Sequence, residues 1–99
     1  MSQKYARMAE RHWRRWRPSQ VEELPDPSSF FSELGEQAAT QIEDLTFDLA
    51  GDDPPGETYM EKLGRLQMAR VRAEGTVLPE LVLLPPEPGL DEENFPDVV

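Results

Sequence analysis

Apolar residues recur at helical spacing along two long stretches of the chain. Phe31, Leu34, Ala38, Ile42, Leu45 and Leu49 step by three or four positions and share one face of a helix about 24 residues, or ~36 Å, long. Glu33, Glu36, Glu43, Asp44 and Asp48 occupy the opposite face, and Phe30 and Phe47 lie off the stripe. Downstream, Tyr59, Leu63, Leu66, Ala69 or Arg70, Ala73 and Val77 form a second stripe, with Met60, Gly64, Met68 and Val71 as an adjacent one. Two stripes make an apolar face wider than a single partner helix covers.

Punctuation residues set the boundaries. Asp26, or alternatively Ser28 or Ser29, can cap the first long helix, and Pro27 suits its first position. Gly51 is a natural stop. Asp52 or Asp53 is expected to cap the next helix, with Pro54 and Pro55 in its first turn, and Gly75 to end or loosen it. A short turn over residues 51–55 implies antiparallel packing of helices 27–50 and 56–74. Gly35 and Gly64 stand inside helices, where glycine costs about 1 kcal/mol relative to alanine. A close helix crossing is one reason to keep them.

Residues 3–17 also read as a helix, stopping before Pro18. Ala6, Ala9, Trp13 and Trp16 share a face that Tyr5, Met8 and His12 widen, and arginines fill much of the remainder. Such a helix is marginal alone in water, where about 12–15 residues are needed. It can complete a three-helix bundle with the hairpin, or two hairpins can form a four-helix dimer. The chain thus divides into a basic aromatic arm (1–17), a linker (18–26), the hairpin (27–77), and an apolar run followed by an acidic, proline-rich tail (78–99). The predicted fold class is all-α: an antiparallel hairpin with an additional short N-terminal helix and an extended tail. Leu81, Val82, Leu83 and Leu84, closed off by Pro85, Pro86 and Pro88, either dock a partner or fold back to cap the bundle. Beyond Glu87, acids with scattered Leu90 and Phe95 are expected to be disordered.

Composition narrows the chemistry. The 99 residues allow one small domain, and an apolar share of 37% predicts a modest core. There is no cysteine and one histidine, which excludes disulfides, thiolate metal sites and histidine-pair mechanisms. No apolar run approaches the roughly 20 residues of a membrane span, and no signal core follows the basic N-terminus, so a cytoplasmic location is expected. The net charge of −10 is unevenly spread. Lys4, Arg7, Arg11, Arg14, Arg15 and Arg17 face Glu10 alone in the arm, whereas residues 18–53 hold ten acids and no base.

Three surfaces follow as candidates. The apolar face, represented by Phe31, Leu34, Ile42, Leu45, Leu49, Leu63, Leu66 and Met68, predicts a protein partner, most simply a second copy. The arm residues Arg7, Arg11, Trp13, Arg14, Arg15 and Trp16 offer phosphate contacts and stacking for nucleic acid, unless the tryptophans are core and the arginines pair with the acidic hairpin. Glu33, Glu36, Glu43, Asp44 and Asp48 suggest an acidic inhibitor of a nucleic-acid enzyme, with Glu36, Glu43, Asp44 and Asp48 as its test positions, although five acids over about seven turns are sparse for phosphate mimicry. The adjacent pairs Glu43 with Asp44 and Asp52 with Asp53 do not converge on one point, so no catalytic residue, metal ligand or cofactor is assigned. A non-enzymatic interaction protein is the expectation.

The runs Phe30-Phe31-Ser32-Glu33-Leu34-Gly35-Glu36-Gln37, Met68-Ala69-Arg70-Val71-Arg72-Ala73-Glu74 and Leu81-Val82-Leu83-Leu84-Pro85-Pro86-Glu87-Pro88 give the chain a texture that resembles small uncharacterised helical proteins of actinobacterial phages and integrated mobile elements. The resemblance implies a setting in which small acidic helical proteins serve in assembly, regulation or host interference. It transfers no site residues.

Overall fold

The computed structural model describes residues 2–87 and is all-α. Four helices follow in order: α1 (Ser2–Trp16), α2 (Pro18–Glu22), α3 (Pro27–Ala50) and α4 (Tyr59–Leu81). The central helix is α3, which packs against α1 on one side and α4 on the other. Its start is capped as its sequence requires: the Asp26 carboxylate accepts from the Ser29 N–H at 3.2 Å, and Pro27 follows. Its end is Gly51, at a φ of 64° that favours glycine, with its N–H bonded to the Phe47 carbonyl.

The start of α4 differs from the expectation. Neither Asp52 nor Asp53 caps it, and the turn is longer than Gly-Asp-Asp-Pro-Pro. Residues 51–58 form a loop, with Gly56 at φ 77°, and Thr58 is the N-cap. The Thr58 hydroxyl accepts from the Glu61 N–H at 3.1 Å while the Glu61 carboxylate accepts from the Thr58 N–H at 2.9 Å. This reciprocal box satisfies two otherwise unpaired donors at once. Two prolines cannot supply those donors, so the helix begins after them.

The far end of α4 also runs on, through Gly75 and Pro79 to Leu81. A proline ring inside a helix crowds the carbonyl four residues earlier, here that of Gly75, and only two helical residues follow it, so little of the hydrogen-bond ladder is lost. The linker carries its own short helix, α2, with Pro18 in its first turn and Val21 buried.

The core is built from α1, α3 and α4 together. Tyr5, Ala9 and Trp13 of α1 join Phe31, Leu34, Ala38 and Ile42 of α3 and Ala73 and Val77 of α4, with Val21 and Val82 at one end. The N-terminal arm is therefore the third layer of a bundle rather than a free appendage. Small residues on α4 admit the larger α1 and α3 side chains.

Residues 82–87 leave α4 and return along the C-terminal half of α1 as a strap. Val82 is fully buried. The Trp13 indole N–H donates to the Val82 carbonyl at 3.0 Å, and His12 donates from Nε2 to the Leu84 carbonyl at 2.6 Å. The Arg17 guanidinium donates to the Pro85 carbonyl at 2.6 Å, and the Glu87 N–H closes on the Trp16 carbonyl at 2.9 Å. The strap carbonyls thus accept from side-chain N–H groups of α1 and its end, while the Trp16 carbonyl, left free at the helix end, accepts from a strap N–H.

Candidate functional site

Trp13 is 7% exposed and packs against Phe30 and Phe31 with ring centroids 5.1 Å and 6.0 Å away. Arg17 covers its other side at 5.0 Å. Trp13 is thus a core residue, out of reach of a nucleic-acid base, and Trp16 is half-buried with Arg15 over its ring at 4.9 Å. Of the two readings of the arm, the structure brings Trp13 into the core, leaves Trp16 half-buried and sends Arg7, Arg11, Arg14 and Arg15 outward.

Arg7, Arg11, Arg14 and Arg15 are all exposed and, at 100° per residue, fall within about 100° of the α1 circumference. They do not pair with the acids of the hairpin. Arg14 pairs with Glu10 of its own helix at 2.9 Å, and Arg7 and Arg11 have no ion pair or hydrogen bond among the described residues. The basic contact to the hairpin comes from Lys4, 3.6 Å from Glu74. Beside it, the Tyr5 hydroxyl donates to Glu74 at 2.7 Å and accepts from Arg70 at 3.2 Å. Burial, reinforced by the Glu74 hydrogen bond, holds the Tyr5 phenol above its ordinary pKa.

The apolar candidates divide. Phe31, Leu34 and Ile42 are buried under α1, so these three are not a partner surface: their own chain supplies the cover. Leu45 and Leu66 are half-buried, Leu49 and Leu63 stand at 36% and 38% exposure, and Met68 is exposed. The run after α4 also turns inward. Val82 is buried, Leu81 and Leu84 pack on the core and only Leu83 is exposed, so the run caps the bundle and is not free to dock.

What remains open is the hairpin tip. The α3 stripe that α1 covers from Phe31 to Ile42 continues with less cover, through Leu45, half-buried at the edge of the core, to the exposed Leu49. From Glu43 to Met68 no residue is fully buried. Tyr59, Leu63 and Leu66 share the face of α4 that carries the buried Ala69, Ala73 and Val77, yet Tyr59 is 74% exposed. The cause is length: α1 spans 15 residues, about 22 Å, and stops short of the tip of a ~36 Å helix.

The tip is cross-linked by charged side chains rather than by fully buried apolar ones. The Arg65 guanidinium bonds Glu57 through Nε at 2.7 Å, Asp53 through Nη2 at 2.7 Å and the Ala50 carbonyl through Nη1, tying the end of α3 to the loop and to α4. Lys62 adds a second bond to Asp53 at 2.7 Å. The Lys62 hydrogen bond, aided by Arg65, holds the Asp53 carboxyl below its ordinary pKa, and the Thr58 N–H does the same for Glu61. Sequence reasoning missed this clasp by spending Asp53 on a cap. The Thr58-to-Glu61 spacing, a capping-box signature, was the signal that frees Asp53 for Arg65.

The second stripe of α4 is not beside the first but across the helix from it. Met60, Gly64, Gln67, Met68, Val71 and Gly75 are all exposed and none carries a charge. Gly64 meets nothing within 4 Å where a Cβ would stand, so no close crossing inside this chain explains it.

The described residues contain no group of three or more His, Cys, Asp or Glu side chains placed to hold a metal ion. A concavity of about 420 Å³ lies along Glu33, Glu36, Gln37, Thr40 and Gln41, all on α3, and is open to solvent. Glu36, Glu43, Asp44 and Asp48 are exposed. No described helix is long and apolar enough to cross a membrane. The acidic tail, with Pro88, Leu90 and Phe95, lies outside the described residues. No family model matches this chain, and neither a curated protein nor a solved structure matches it.

Proposed function

We propose that the protein is a non-enzymatic interaction protein that associates with a second copy of itself through the hairpin tip. One observation carries this reading: the core stripe runs on past the end of α1, leaving Leu45, Leu49, Tyr59, Leu63 and Leu66 without a third layer. A second copy offers the same stripe, and a two-fold arrangement lets each tip cover the other. The Arg65 clasp supports this reading, because bonds that already tie α3, the loop and α4 together reduce the conformational entropy left to lose on binding. In a phage or mobile-element setting, such a module suits an assembly-accessory role.

The variants Leu63→Glu and Tyr59→Glu test the assignment, because both side chains are exposed enough for the isolated fold to accept a charge. Sedimentation equilibrium is expected to show weakened association in both, with unchanged helical circular dichroism. Association as tight as in the parent chain would remove the tip from the interface.

A second reading rests on the outward arginines of α1. Arg7, Arg11, Arg14 and Arg15 fit a phosphate backbone, with affinity falling steeply with salt, while the burial of Trp13 leaves Trp16 as the aromatic group near them. A gel-shift or anisotropy titration with duplex and single-stranded oligonucleotides at about 0.05 M and 0.2 M salt separates it from the first.

A further inference from the structure

We infer that the arginine face of α1 is the docking site for the acidic C-terminal segment of the same chain, residues 88–99. The proposal uses none of the tip residues and stands independently of self-association.

Three observations converge on it. The first is the unsatisfied charge. Arg7 and Arg11 have no ionic or hydrogen-bonding partner among the described residues, and Arg14 and Arg15 extend the same ridge. Four guanidinium groups on one helix face repel one another, so an acidic cover is favourable.

The second is where the segment starts. The strap does not release the chain into solvent at random. It fastens residue 87 to the C-terminal end of α1: the Glu87 N–H donates to the Trp16 carbonyl at 2.9 Å, and the Glu87 carboxylate accepts from the Ser19 N–H at 3.3 Å. The Arg17 bond to the Pro85 carbonyl holds the preceding turn. The chain after Glu87 therefore sets out from the C-terminal end of α1, the end that carries Arg14 and Arg15, at a high effective concentration.

The third is length and charge. Residues 88–99 carry Asp91, Glu92, Glu93 and Asp97 and no basic residue. At ~3.3–3.6 Å per residue, Asp91, Glu92 and Glu93 lie within roughly 13–22 Å of Glu87. That range suffices to round the helix and meet Arg14, Arg15 and Arg11. From Arg15 to Arg7 the ridge is only about 12 Å long, so Asp97 reaches its far end. A short tether limits the entropy cost of closure.

The consequence is regulatory. The ridge is a basic surface suited to a polyanion, and the tail occupies it in cis. A nucleic acid or acidic protein must displace four carboxylates to reach it.

The absence of cysteine gives a clean test. A nitroxide placed on Asn94→Cys in the full-length chain reports tail position through paramagnetic broadening of amide signals. The expected result is strong intensity loss at Arg7, Arg11, Arg14 and Arg15, with Glu43 to Ala50 of α3 unaffected. Raising salt from about 0.01 M to about 1 M, which shrinks the Debye length from ~30 Å to ~3 Å, should restore the signals. So should replacement of Asp91, Glu92, Glu93 and Asp97 by their amides, or of Arg7 and Arg11 by Gln, substitutions that leave the core untouched. The proposal is overturned by uniform or absent broadening, by broadening centred on the Met60-to-Gly75 face of α4, or by broadening that appears only when isotope-labelled and spin-labelled chains are mixed. The last result would assign the tail to a second copy.

Discussion

Replacing Trp13 with phenylalanine tests how the three layers are locked together. The indole is 7% exposed, and its N–H is the donor to the Val82 carbonyl at 3.0 Å. Phenylalanine keeps an aromatic ring against Phe30 and Phe31 but cannot donate. The Val82 carbonyl, on a fully buried residue, loses this partner at a cost of about 1–3 kcal/mol. The smaller ring leaves a void under the strap that adds about 1 kcal/mol. The expected loss is therefore ~2–4 kcal/mol, a substantial share of the roughly 5–15 kcal/mol by which a domain is stable. Urea unfolding followed by circular dichroism reads it directly. With a slope near 1–2 kcal/mol/M, the midpoint should fall by at least ~1 M. Val82 through Glu87 should also become more sensitive to limited proteolysis, because the strap loses an anchor. A midpoint within experimental scatter of the parent would refute the reasoning, since Trp13 would then be neither buried in solution nor bonded to the strap.

Other substitutions probe separate parts of the account. Ile42→Asp puts a charge at a fully buried position of α3 and should abolish cooperative unfolding; retained thermal cooperativity would displace Ile42 from the core. Gly64→Ala adds a methyl group where nothing stands within 4 Å and should raise stability by about 0.5–1 kcal/mol, measured by denaturant unfolding at low protein concentration. A loss of stability there would mean that another helix approaches this face closely. Acid should weaken the tip. Asp53 and Glu61 titrate below their ordinary values of 3.8 and 4.5 in the folded chain, so their stabilisation is present above those values and fades as pH falls through their folded pKa values. The pair Asp53→Asn and Glu61→Gln should flatten that fall in a urea-midpoint series. Tyr5 behaves in the opposite sense: its contribution is full below pH of about 10 and is lost as pH rises through its raised folded value.

The sequence already contained the two long helices, because each carries an uninterrupted stripe at 3.6-residue spacing, and Asp26, Pro27 and Gly51 mark the bounds of α3. It also placed a helix before Pro18. It leaned to Trp13 as core but did not decide whether that helix packs on the hairpin, since the same face also reads as a binding surface. That choice depends on contacts with Phe30 and Phe31, which no local pattern encodes. The start of α4 was legible in Thr58 and Glu61 but hidden behind the more conspicuous Asp-Asp-Pro-Pro. The strap was the least visible element: its bonds to α1 span 68 to 72 positions and run largely through backbone carbonyls, which carry no residue signature. Of the proposed interaction face, Leu45, Leu49, Leu63 and Leu66 stay at the open tip while Phe31, Leu34 and Ile42 are covered. The difference lies in where α1 ends, a matter of helix length and register rather than of hydrophobic pattern.

Self-association through the tip is tested most directly by the solution mass of the unmodified chain, measured by light scattering across concentration at low and high salt. Apolar burial predicts a species of twice the 11.3 kDa chain mass or more, growing with concentration and persisting in high salt. A mass of 11.3 kDa at every concentration would contradict it, and the uncovered stripe from Leu45 to Leu66 would then have to be filled by a different protein.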